Sequence, residues 1–97
     1  VDFEYDGEMG VDVALDMSLR KNYPFCRLSG PANILIMPGL HAANISYKLL
    51  QAVGGGTIIG PMLLGLEKPV QIVQMNATVN DLVQAAAIAA HDTILND

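Results

Sequence analysis

The chain has no tryptophan, a single cysteine, five basic residues and no apolar run of membrane-spanning length. Each shortage removes a class of function. A lone cysteine, Cys26, cannot close an internal disulfide, so a reduced, cytoplasmic setting is the simplest reading. No motif surrounds Cys26, and it reads as a small buried hydrophobe rather than a nucleophile. Five Lys and Arg stand against ten Asp and Glu, a net charge of -5, which is the wrong sign for a nucleic-acid surface. A local anion site is still open to it, because Arg20, Lys21 and Arg27 lie close in sequence. A membrane helix needs roughly 18 consecutive apolar residues and a secretory leader needs a basic segment before an apolar one. Neither pattern occurs in these residues, and there are no repeats or low-complexity tracts.

What the chain does have is apolar mass. It is 97 residues long, 52 % hydrophobic and 15 % charged, with a mean hydropathy of +0.37. At this length only about 60–65 % of the surface can be buried. We therefore expect some apolar surface to meet a second subunit or a further domain. The start at Val1, without an initiator Met, fits a segment of a longer protein.

The central stretch changes period in its middle. Ile34 to Met37 is an unbroken apolar run closed by Pro38-Gly39, the pattern of a strand covered on both faces in a parallel sheet. From Leu40 the spacing is helical, with Ala42, Ile45, Leu49 and Val53 on one stripe and Tyr47, Lys48 and Gln51 mostly off it. Gly54-Gly55-Gly56 then ends the helix. A phosphate-loop reading of those glycines fails, because a P-loop opens a helix with Lys-Ser or Lys-Thr and these glycines close one. The unit is strand-turn-helix, half of a βαβ crossover, and we expect it to be the best-buried pair, with Leu49 in the core.

Before it, Val1 to Asp6 alternates apolar and acidic residues like a half-exposed strand. Met9 to Leu19 places Val11, Leu15 and Leu19 at helical spacing. Six acids and no base occupy the first sixteen residues. They suit a solvated face, since a divalent-metal set needs a convergence that alternation alone does not supply. Arg20 to Pro31 is a connector rich in turn residues. After the glycines, Thr57 to Leu64 is a second apolar stretch in which Pro61 marks an end or bend. Val70 to Gln74 reads as a short strand. Thr78-Val79-Asn80-Asp81 is a capping-box variant opening a last helix with Val79, Leu82, Val83, Ala86, Ala90 and Ile94 on one face. His91 near its end complements the helix dipole, and His41 has no partner visible in sequence.

These pieces resemble a known family. Asp6-Gly7-Glu8, Ala32 to Pro38, Ala43-Asn44-Ile45, Tyr47 to Gln51, Gly54-Gly55, Ile59-Gly60-Pro61, Gly65, Lys68-Pro69-Val70 and Val79 to Val83 recur in that order in the phosphate acetyl/butyryltransferases. Tyr23 to Gly30 and Met75 to Thr78 are most similar to the C-terminal transferase-like region of bacterial hybrid NADP-dependent malic enzymes. The resemblance implies an α/β fold: a three-layer, mostly parallel sheet with flanking helices, here as a partial-domain fragment of a two-domain acetyltransferase-like architecture. Residues 1–66 would end the inserted subdomain, and residues 67–97 would return to the first through a strand and the C-terminal helix.

Family transferases usually carry Ser-Arg-Gly between the last strand and the last helix, in the catalytic cleft, with an Asp a few residues on. Here Gln74 takes the Ser position and Met75 the Arg position, followed by Asn76, while Asp81 matches the Asp. Acyl-phosphate chemistry needs a fixed cation, which a thioether cannot supply. Losing one such donor costs about 2.7–4 kcal/mol of transition-state stabilisation. The resemblance thus implies a non-catalytic module that binds acetyl-CoA or a related thioester as an effector, through Gln74, Met75, Asn76, Thr78 and Asp81, and that supports a homo-oligomer. The parent would be a malic enzyme using NADP and a divalent metal to decarboxylate malate oxidatively to pyruvate. No cofactor, metal, nucleic-acid or membrane site is expected within these residues. The alternatives are a fragment of a true transferase moving acyl groups between CoA and phosphate, and a purely structural oligomerisation piece.

Overall fold

The computed structural model describes residues 1–95. Three α-helices and one 3-10 helix follow in order: α1 (Val11–Leu15), the 3-10 helix (Met17–Asn22), α2 (Leu40–Val53) and α3 (Val79–Leu95). The chain divides into two compact units, Val1–Ser46 and Tyr47–Asp97.

In the first unit the helix expected over Met9 to Leu19 is split at Asp16. That residue is extended (φ -115°, ψ 108°), and its Oδ1 accepts hydrogen bonds from Ser18 N at 2.9 Å and Ser18 Oγ at 2.7 Å. Aspartate in that geometry starts a new helix rather than continuing an old one. The stripe Val11, Leu15, Leu19 is consequently exposed, and the buried pair is Val13 and Ala14. Between them and the connector lies Arg20, only 8 % exposed. Its Nε donates to Val13 O (3.1 Å), its Nη2 to Ala14 O (2.7 Å), and its Nη1 to Gly30 O (2.7 Å) and Leu28 O (3.3 Å). Ala32 N closes the same loop on Ala14 O at 2.8 Å. A single guanidinium fork gathers two segments that share little apolar surface.

The N-terminal segment is attached by its acids. Glu4 Oε2 accepts from Ser29 N and Ser29 Oγ, both at 2.9 Å, and Asp6 Oδ2 accepts from Arg27 N at 2.7 Å. The alternation read from sequence is present, but with its roles reversed: Phe3 and Tyr5 are exposed and stack edge to face at 6.2 Å, while the acidic side makes the contacts.

No residue pairs in a strand ladder among the described residues. Val1 to Asp6, Ile34 to Met37, Thr57 to Leu64 and Val70 to Gln74 carry no helix, and the parallel sheet expected of them has no hydrogen-bonded neighbours here. A strand exists only as a member of a ladder. Ile36 is 89 % exposed and Leu49 59 % exposed, so the expected best-buried pair is open in the chain by itself. The physical reason is the same for both: their apolar faces have nothing described to pack against.

Helix ends follow local chemistry. α2 stops at Val53, where Gly54 N donates to Leu50 O at 2.7 Å. α3 begins with a reciprocal cap: Asp81 N donates to Thr78 Oγ1 (3.1 Å), and Thr78 N donates to Asp81 Oδ2 (2.9 Å). That is the capping box expected from Thr78 to Asp81, with Asp taking the place of the usual Glu. The apolar face expected on α3 is not the covered one. Val79, Leu82, Val83 and Ile94 are exposed, whereas Gln84, Ala85, Ile88 and Ala89 are half-buried.

Candidate functional site

A cavity of about 330 Å³ opens in the second unit. One wall is the C-terminal half of α2, with Tyr47, Lys48 and Gln51. Another is the first half of α3, where Asp81, Gln84, Ala85 and Ile88 line it. These α3 positions recur at three- and four-residue spacing, so they share one helix face. Segments 58–62 and 71–74 complete the lining with Asn76, Ala77 and Thr78.

The helix cap therefore serves as part of the site. Fixing Thr78 and Asp81 to each other sets the start of α3 and holds both side chains in the lining. A second polar link lies within the lining, where Gln74 Nε2 donates to Tyr47 Oη at 3.1 Å. Gln71 is occupied elsewhere: its Oε1 accepts from Leu63 N (3.2 Å) and its Nε2 donates to Leu63 O (3.4 Å). The amide thus takes both backbone groups of Leu63, as a neighbouring strand would. Lys48 is the one Lys or Arg in the lining, and its Nζ sits 5.3 Å from the centroid of the Tyr47 ring.

Of the five residues expected to bind ligand, Gln74, Asn76, Thr78 and Asp81 line the cavity together and Met75 does not. Ala77 N donates to Gln74 O at 3.0 Å, closing a turn over 74–77. Met75 sits at the tip of that turn, fully exposed. The sequence reading missed Tyr47, Lys48 and Gln51, which lie mostly off the apolar stripe of α2. Their spacing was the available signal: three polar residues at i, i+1 and i+4 form a stripe as coherent as the apolar one. His41 and His91 lie outside the lining.

Chemically the site is nearly neutral. It offers side-chain amides, hydroxyls, one ammonium and one carboxylate, and no guanidinium. No group of three His, Cys, Asp or Glu side chains is gathered for a metal ion among the described residues. The three carboxylates held below their ordinary range are outside the cavity. Glu4 is lowered by the Ser29 N–H and hydroxyl, Asp6 by the N–H groups of Arg27 and Gly7, and Asp16 by the Ser18 hydroxyl and N–H. No described helix is long and apolar enough to cross a membrane.

Comparison with known proteins gives the family. Across 95 % of its length the chain is 61 % identical to NADP-dependent malic enzyme of Rhizobium meliloti, of which it spans 12 %. It is 56 % identical to a probable NADP-dependent malic enzyme of Rickettsia prowazekii over 97 % of its length and 12 % of that protein. It is 42 % identical to phosphate acetyltransferase of Paracoccus denitrificans over 93 % of its length and 29 % of that protein. No solved structure matches the chain. The family model for phosphate acetyl/butaryl transferase matches residues 1–90. The resemblance read from the ordered motifs is borne out, and the chain belongs to the phosphate acetyl/butaryl transferase family.

Proposed function

We propose that the chain is the transferase-like C-terminal part of a cytoplasmic NADP-dependent malic enzyme, and that this part binds acetyl-CoA or a related thioester without turning it over. One observation carries the reading. The residues at the family's Ser-Arg positions are Gln74 and Met75, so the cavity presents an amide where the reaction needs a hydroxyl, and no guanidinium lines it. Transfer to phosphate concentrates negative charge on the acceptor, and a fixed cation supplies much of the stabilisation. Binding a thioester makes no such demand. A cavity of about 330 Å³ lies within the range of small-ligand sites.

In this reading the parent decarboxylates malate oxidatively to pyruvate. NADP and its divalent metal would be held by other parts of that protein; among the described residues no metal-ligand set is gathered. The chain contributes to a sheet flanked by helices, residues 1–66 to the inserted subdomain and residues 67–97 to the first. It also contributes to a homo-oligomer. The open apolar side chains of Ile34, Ile36, Leu40 and Val53 supply surface for both, and a specific interface needs at least about 1,000 Å² in total.

The second reading, a true transferase, has Lys48 in its favour, a cation on the same cavity. Two assays on the full-length protein separate them. Acetyl-CoA plus phosphate should give no acetyl phosphate, and acetyl-CoA should alter the rate of malate oxidation. Acyl phosphate formed at an enzymatic rate would overturn the proposal in favour of the transferase. An unaltered malate rate, with no binding detected, would leave only a structural role.

A further inference from the structure

Many exposed apolar side chains lie in stretches of strand or helix period. Ile34, Ile36, Leu49 and Leu82 are examples, and the sheet and helices proposed above would cover them. Phe25 has no such place. It is 72 % exposed in the connector between the 3-10 helix and α2, at a turn, where small and polar residues are the rule.

The backbone holds it there. Cys26 N donates to Tyr23 O at 3.0 Å and closes a turn over 23–26. Pro24, with its fixed φ, takes the second position and Phe25 the third. Tyr23 N donates to Arg20 O at 2.7 Å on one side, and Arg27 N donates to Asp6 Oδ2 at 2.7 Å on the other. The Tyr23 ring meets Phe25 edge to face at 5.7 Å. An aromatic ring fixed in the open has little freedom left to lose on binding, and aromatic residues are enriched where proteins meet.

What would cover it follows from the relatives and from charge. Over nearly the same number of residues the chain spans 29 % of the Paracoccus denitrificans transferase and 12 % of the Rhizobium meliloti malic enzyme. That malic enzyme is therefore more than twice as long as the transferase, and holds a portion the transferase lacks. Phe25 lies in Tyr23 to Gly30, one of the two segments whose resemblance is to the malic enzymes in particular. Lys21 and Arg27, both exposed, flank the turn in a chain of net charge -5; Arg27 also sits 3.9 Å from Asp6. A second copy meeting this patch through the same patch would set those cations against their own kind. Resting on the malic-enzyme reading above, we propose that the Tyr23–Cys26 turn docks this region on the malate-oxidising portion of the same protein. Phe25 is the anchor, seated in an apolar pocket with carboxylates at its edge.

The test uses the full-length protein carrying Phe25→p-benzoyl-phenylalanine. Irradiation and peptide mapping are expected to join position 25 to the malate-oxidising portion, and Lys21→Glu in the same background is expected to lower that yield at least threefold. Phe25→Ser should raise amide exchange in the joined peptide while Ala14 and Ala32 keep their protection. Joining to the transferase-like region itself, to the same turn of a second copy, or to nothing overturns the proposal alone. So does a yield that Lys21→Glu leaves unchanged, or exchange in the joined peptide that Phe25→Ser leaves unchanged. Lost protection at Ala14 and Ala32 in Phe25→Ser would make Phe25 a structural residue of the first unit, and overturns it too. A full-length protein that oxidises no malate overturns the malic-enzyme reading and this proposal together.

Discussion

Replacing Arg20 tests what holds the first unit together. Two apolar residues, Val13 and Ala14, are buried there. Fully burying a valine is worth about 1.5–3 kcal/mol, and the alanine methyl adds about 0.8. Against that stand four hydrogen bonds from one cation, each worth about 1.5–3 kcal/mol when the donor is charged. The contributions do not simply add. Leu28 O and Gly30 O are reached at part-buried positions, where water can replace the guanidinium, so their loss is cheap. Val13 O and Ala14 O are bonded in buried settings, and Ala14 O keeps Ala32 N. Counting the two buried bonds alone gives about 3–6 kcal/mol for Arg20→Ala. That is comparable to or larger than the contribution of the two buried apolar residues.

Arg20→Lys should recover less than half of this, because a point ammonium cannot reach carbonyls on both sides as the planar fork does. Amide hydrogen exchange is the fitting assay, since it reads stability locally. In Arg20→Ala, protection of Ala14 and Ala32 should fall by two orders of magnitude or more, while α3 amides are unaffected. Unchanged protection at Ala32 would refute the reasoning, and would mean that the guanidinium merely fills space.

Three further outcomes follow from the same geometry. Thr78→Ala removes one half of the reciprocal cap and should cost about 0.5–2 kcal/mol, with α3 fraying from its N-terminal end by exchange; an intact first turn would count against the cap. Glu4 and Asp6 have lowered folded-state pKa values, so their stabilisation is present above the ordinary carboxylate range and is lost as pH falls through the folded values. Residues 1–6 should therefore detach from 27–29 on acidification below about pH 4, and a Glu4→Gln, Asp6→Asn double variant should show no such acid step in NMR shifts. Leu49→Ala should cost about 2–5 kcal/mol in the full-length protein, where we propose that its face is covered; a change under about 0.5 kcal/mol there would mark it as a surface residue.

What could be read from the sequence was what is decided locally. Gly54 ends α2 because a helix terminus needs only the few residues around it. Thr78 and Asp81 cap α3 because the cap spans three positions. Asp16 was misread for a related reason: an apolar stripe at Val11, Leu15 and Leu19 outweighed one aspartate that could restart the helix, and the aspartate won. Ile34 to Met37 has the composition of a buried strand, but strand pairing is a relation between distant segments, and no partner is among the residues described. The Arg20 fork left no trace in the pattern at all. Its acceptors are backbone carbonyls six to ten positions away, and any residue type can supply a carbonyl. In the site, the capping residues and Gln74 follow from the family motif, while Tyr47 and Lys48 stand off the apolar stripe, where nothing in the local pattern marks a polar side chain as lining a cavity.

In the proposed reading, the change at positions 74 and 75 is one substitution of function rather than two losses. Losing the arginine alone would leave a serine hydroxyl in a cavity with no charge to stabilise what it might attack. Losing the serine alone would leave a guanidinium at the exposed tip of the 74–77 turn with nothing to do but bind an anion. With both gone, Gln74 bonds to Tyr47 at 3.1 Å, and Met75 turns outward at the tip of the 74–77 turn. In the same reading, Asp81 is kept because its role here is double. It lines the cavity, but it also accepts from Thr78 N to start α3, and that second role does not depend on catalysis. A carboxylate kept for the helix it begins is what would remain of a transfer site rebuilt for binding.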